Sequence, residues 1–298
     1  MNSLNGAAGY GILLGVTAAP VSISGRRLPL ARTFGAVLVT LALLAALPAP
    51  ASANTPVPGA ATLAMLADAA APHWNFARAL DHDTCWPGAA LTASGAQATP
   101  ATLKGYPVTG QGGCANAGTG FPTYATAASC TGTEVRVAYT LYFPKDGFAG
   151  NVLGIADLGH QHDFEQVVVV WTQSGGTWTR DRLLMSRHGN FISAAWASVR
   201  GWDAARTATG LGLDHPDVFV GWAKHAMFNS AGGLVDLVSQ YTDEEFRSSA
   251  YSAWPGAFGS STLLDVEPGG ALAAQFDAAD WGSATSTPSV IATTLCTL

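Results

Sequence analysis

Charge is scarce in this chain. Only 11% of its 298 residues are Asp, Glu, Lys or Arg, and the 14 basic residues are outnumbered by 20 acidic ones. A formal charge of −6 argues against a nucleic-acid partner, which needs a basic face. It also leaves no polybasic segment to hold the chain on anionic lipid. Cysteine is limited to four residues with no C-x-x-C, so a redox motif or zinc ribbon is unsupported. Other signatures are missing as well. There is no HExxH, no G-x-S-x-G elbow, no P-loop lysine, no internal repeat and no heptad pattern. The only sustained apolar run, Phe34 to Leu47, spans 14 residues, short of the roughly 20 that cross a bilayer.

That run follows Arg26, Arg27 and Arg32 and precedes Ala51-Ser52-Ala53. A basic region, an apolar core and a small-residue cleavage site make a secretory signal, so residues 1–53 are expected to be removed and the chain secreted. Losing the three arginines takes the formal charge from −6 to −9. All four cysteines, Cys85, Cys114, Cys130 and Cys296, follow the signal. An even count in an exported chain reads as two disulfides, with three possible connectivities. Residues 54–72, rich in Ala and Pro, read as a flexible lead-in to a single domain over 73–298.

Within that domain, Val135, Val137, Tyr139, Leu141 and Phe143 alternate with Arg136, Ala138, Thr140 and Tyr142. This period of two predicts a strand with one buried face, ended by a turn at Pro144-Lys145-Asp146-Gly147. Gln166 to Trp171 is apolar on both sides and predicts a central strand. Gly175-Gly176 predicts a hairpin returning through Thr177 to Met185, and Asp217 to Trp222 a further strand. Thr242-Asp243-Glu244-Glu245 has the form of a capping box and predicts a helix to about Ser252. The fold class expected is mainly β with peripheral helices (α+β), as a β-sandwich.

The densest chemistry lies in Gly159-His160-Gln161-His162-Asp163-Phe164-Glu165. Two imidazoles and two carboxylates in six consecutive residues suit a divalent cation. The alternative is a hydrogen-bonded rim leading into the next strand. A mixed Asp/Glu/His set leans toward Ca2+ or Mg2+, with Mn2+ next, rather than structural Zn2+. The spacing does not fit HxHxDH, because Asp163 follows His162 directly.

Together, Tyr142-Phe143-Pro144-Lys145-Asp146, Gly159 to Glu165 and Val167 to Trp171 resemble the necrosis- and ethylene-inducing peptide-like proteins, the NPP1 family. Its signature is YFPKD followed by GHRHDWEHVVVW. Ser186-Arg187-His188 and Lys224-His225-Ala226-Met227-Phe228 resemble its downstream segments, and the likeness covers roughly residues 73–281. The resemblance implies a β-sandwich similar to actinoporin-like cytolysins. It also implies a secreted cytolysin, not an enzyme, monomeric in solution. Such proteins bind plant glycosylinositol phosphoceramide headgroups near a divalent cation, perturb the plasma membrane and induce necrosis. Carried over by motif, the metal ligands are Asp146, His160, Asp163 and Glu165. Asp157 is an alternative to Asp146, because the segment between Asp146 and His160 is longer than in typical members. His162 is expected to orient a carboxylate, Gln161, His188 and His225 to line the cavity, and Trp222 to sit at a membrane-facing rim. The resemblance pairs Cys85 with Cys114, which leaves Cys130 for Cys296. Gln161, Phe164 and Gln166 depart from the motif's Arg, Trp and His. Those departures keep open a non-cytotoxic member that binds glycan or lipid or is recognised by host immunity. A secreted metal-dependent hydrolase is the third reading.

Overall fold

The computed structural model describes residues 54–79, 81–150, 159–187, 189–202, 212–230, 245–246 and 263–298. In chain order these form β1 (Val57–Pro58), α1 (Leu63–Ala69), β2 (His73–Ala79), β3 (His82–Asp83), β4 (Thr123–Thr131) and β5 (Glu134–Asp146). Then come β6 (His160–Ser174), β7 (Thr177–Arg187), β8 (Asn190–Ala195), β9 (Asp217–Val220), β10 (Met227–Phe228), β11 (Glu245–Phe246) and β12 (Leu263–Asp265). Two helices, α2 (Ala271–Ala278) and α3 (Pro288–Thr294), close the chain.

The strands make two sheets. The larger runs β1-β7-β6-β5-β4-β12, with β8 beside β7; the smaller runs β10-β9-β2-β11, with β3 beside β2. Pairing is antiparallel except for β12 with β4 and β2 with β9. The core lies between the sheets. Trp74 and Phe76 of β2 and Val218 and Val220 of β9 meet Val137, Tyr139, Val169 and Trp171 in one buried cluster. The mainly β sandwich with peripheral helices expected from the sequence is therefore observed.

The β5 alternation is observed as read, but its second face is buried too. Ala138, Val168 and Val170 pack under Ile291 and Leu295 at the C-terminus. That cover explains why Val167 to Val170 is apolar without interruption: both sides of β6 are interior. The β6–β7 hairpin turns at Gly175 and Gly176, whose φ angles of +57° and +78° suit a two-residue turn that side chains resist.

Three sequence expectations need correction. Residues 54–72 are not a flexible lead-in. β1 pairs with β7, and α1 buries Leu66 and Ala67 in the core. Tyr139 fixes that helix by donating its hydroxyl to the Ala67 carbonyl at 2.6 Å. The Pro144–Gly147 turn is displaced, because β5 continues through Lys145 and Asp146 before the chain bends at Gly147. The helix expected from Thr242 to Ser252 lies outside the described residues except for Glu245–Phe246, which pair as a strand with β2.

Both disulfides form as expected, Cys85–Cys114 and Cys130–Cys296. The second ties the end of the chain to the end of β4.

Candidate functional site

The site forms where β5 leaves the sheet and β6 enters it. Phe143 pairs with Asp163, and Asp146 pairs with His160. Between them stand Pro144, which has no N–H to give the ladder, and His162, whose φ is +57°. Strict alternation from Asp163 would send His160 to the opposite face. The left-handed backbone at His162 breaks that alternation and brings the His160 imidazole to 3.4 Å from the Asp146 carboxylate.

Asp146, Asp163 and His225 converge there, with one donor atom from each inside a 4.8 Å span, all three buried. His225 comes from the segment between β9 and β10. Its Nδ1 lies 2.9 Å from Asp163 Oδ2 and 3.5 Å from Asp146 Oδ1. Its ring stacks flat on Phe143 at 3.8 Å. It too has a left-handed φ, +52°. Two of the three such non-glycine residues among those described thus lie at this site, where strained backbone tends to collect. Lys224 donates to Asp146 Oδ2 at 2.6 Å.

The electrostatics follow from enclosure. Burial raises the Asp146 carboxyl above its ordinary value, and Asp163 raises it further, against the pull of Lys224 and His225. Burial raises Glu165 well up, helped by Asp163 and opposed by the hydroxyl of Ser186, which donates to it. Burial pushes the His225 imidazole down to about 4, so it is neutral at pH 7. A neutral His225 donates from Nδ1 to Asp163 and leaves Nε2 a bare lone pair. Both that Nε2 and Asp146 Oδ1 are buried without a hydrogen-bond partner. An orphaned carboxylate oxygen on Asp146 and an orphaned imidazole nitrogen on His225, beside the Asp163 carboxylate, fit a hard or borderline divalent cation.

The residues predicted from sequence thus divide. Asp146 and Asp163 lie in the cluster, His160 against it, and His225 inside it rather than merely lining it. Glu165 is part-buried on Ser186 and outside the three-donor group. His162 does not orient a carboxylate. Its ring turns to the other face, 2.7 Å from the Tyr142 hydroxyl and edge-on to Trp281. Its backbone carbonyl instead bonds His160 Nδ1 at 2.7 Å. Gln161 is exposed opposite Lys145. Trp222 is not at a rim. It is fully buried against Phe148, with its indole N–H on the His82 carbonyl. His188 and Asp157 lie outside the described residues.

Sequence reading assigned no role to Lys224 or Lys145. Lys224 had a signal, its place beside His225 in the motif. Lys145 is fully buried, donates to the Thr102 carbonyl at 3.3 Å, and is pushed down to about 8 by burial and by Lys104. Its signal was masked by reading Pro144–Gly147 as a turn.

The necrosis inducing protein (NPP1) model matches residues 70–229, more than half the chain and all of the cluster. The chain belongs to the NPP1 family. Among solved structures, this NPP1 protein is similar to a non-toxic HaNLP3 protein, with 18% identity over 79% of this chain and 90% of that one, TM-score 0.47. It is also similar to necrosis and ethylene inducing protein 2 from the causal agent of cocoa's witches' broom disease, at 19% over 60% and 73%, TM-score 0.41. A third is NLPPya in complex with mannosamine, at 19% over 78% and 89%, TM-score 0.45. Curated protein sequences gave no match.

Proposed function

We propose that this NPP1 protein is a secreted, divalent-cation-dependent cytolysin that binds the sugar headgroup of plant glycosylinositol phosphoceramides and perturbs the plasma membrane. The observation that carries this reading is the convergence of Asp146, Asp163 and His225 with two orphaned buried atoms. Asp146, Asp163 and His225 are the direct ligands in this proposal, with His160 and Glu165 at the margin. A cation there supplies positive charge and open positions for sugar oxygens, which an acidic protein otherwise lacks. Ca2+ or Mg2+ suits the oxygen-rich set. Two disulfides and membership of the NPP1 family support an extracellular setting.

The non-cytotoxic reading keeps one specific support. Lys224 already partly neutralises Asp146, and exposed Gln161 brings no charge toward a headgroup. Sedimentation with vesicles containing glycosylinositol phosphoceramide tests the binding step. The mature chain should pellet with Ca2+ or Mg2+ and stay in the supernatant with EDTA. Pelleting that ignores EDTA would remove the cation from the mechanism.

A further inference from the structure

A cavity of about 390 Å3 opens between α1, β4 and the segment that follows β12, and it contains none of the residues of the cation site. Its size falls within the range of small-molecule pockets, roughly 300–1,000 Å3. Four alanines make its floor, Ala64 and Ala67 from α1 and Ala125 and Ala127 from β4, with Leu63 and Pro268 at the sides. Small side chains on both facing elements leave the space that larger ones would fill. The surface offered is therefore mostly apolar.

The edge is acidic. Asp265 and Glu267 line the cavity, and Asp68 stands at the end of α1. Burial and Glu267 raise the Asp265 carboxyl; burial and Asp265 raise that of Asp68. The last turn of α1 itself carries no basic residue. Among the described residues none of the three carboxylates forms an ion pair.

We propose that this groove binds an organic cation with an apolar body, an alkylammonium or quaternary ammonium, its chain on the alanine floor and its charge between Asp265 and Glu267. An anionic headgroup meets repulsion there. A bare metal ion has no use for the apolar floor. The cavity thus differs in ligand class from the cation site, and the proposal stands apart from the function proposed above.

Calorimetry with octyltrimethylammonium, octyl glucoside and octyl sulfate tests it on the mature chain. The ammonium probe should bind, and the neutral and anionic probes should bind at least tenfold more weakly. EDTA should leave the result unchanged. Asp265→Asn with Glu267→Gln, both at exposed positions, should cost the ammonium probe at least tenfold in affinity. Ala127→Phe should block it by filling the groove. Equal affinity for all three probes, wild-type affinity in the double variant, or no ammonium binding at millimolar concentration would each overturn the proposal.

Discussion

Asp163 touches His225 directly and raises the proton affinity of both Asp146 and Glu165. Asp163→Asn keeps an acceptor for the imidazole and removes that repulsion. In EDTA the variant should therefore unfold at a temperature no lower than wild type. Wild type should gain about 2.7 kcal/mol at a cation concentration one hundred times Kd, and the variant should gain none. An unchanged gain in Asp163→Asn would show that the ligands lie elsewhere. His225 makes a separate prediction in EDTA. The unfolded imidazole takes a proton near pH 6.5, while the folded one resists until about 4. Stability present above pH 6.5 is therefore lost as pH falls toward 4, by up to about 1.4 kcal/mol per unit. Asp146 and Glu165 are raised by folding and act in the opposite direction, so the informative quantity is the difference between wild type and His225→Asn. The variant should show the shallower loss across that window; parallel profiles would contradict the assignment.

The β5–β6 pair was the most legible part of the chain. Alternation from Val135 to Phe143 and the valine run fixed its strands, and the ligand types of its motif fixed where to look. The detailed geometry was less legible, for local reasons. A proline followed by Lys-Asp-Gly reads as a turn, yet Lys145 and Asp146 remain paired across to Gln161 and His160. The left-handed backbone at His162 is hard to read from residue type, since histidine, although enriched at positive φ, also occurs in ordinary strands. It nevertheless decides which imidazole faces Asp146. Gly159 is the residue that permits this entry. A β-carbon there would lie 2.5 Å from the Asp146 carbonyl oxygen and 2.7 Å from the Phe148 nitrogen. Gly159→Ala should therefore push β5 and β6 apart at the site. The expected cost is about 1–3 kcal/mol in denaturant unfolding, with weaker cation affinity. Wild-type values for both would mean that the strand ends tolerate the displacement.

The two-sheet sandwich followed from periodicity, because each alternating strand needed one apolar partner layer. The burial of both faces of β5 and β6 did not follow, since it depends on α3 and the C-terminal residues returning from far along the chain. Nor did α1, whose Ala-rich sequence looks unstructured until Leu66 and Ala67 find the core. The Cys130–Cys296 bridge holds that C-terminal cover down across 166 residues of sequence. Replacing both of its cysteines by serine should cost about 2–5 kcal/mol in reversible unfolding under non-reducing conditions. A loss confined to a few tenths would show that the packing of Ile291 and Leu295 suffices alone.

The most direct test of a cation-dependent cytolysin is dye release from eudicot plasma-membrane vesicles by the mature chain, with Ca2+ or Mg2+ and then with EDTA. Release that requires the cation and stops on chelation is the predicted result. Intact vesicles in the presence of a folded, cation-binding protein would contradict it and leave the non-cytotoxic reading in its place.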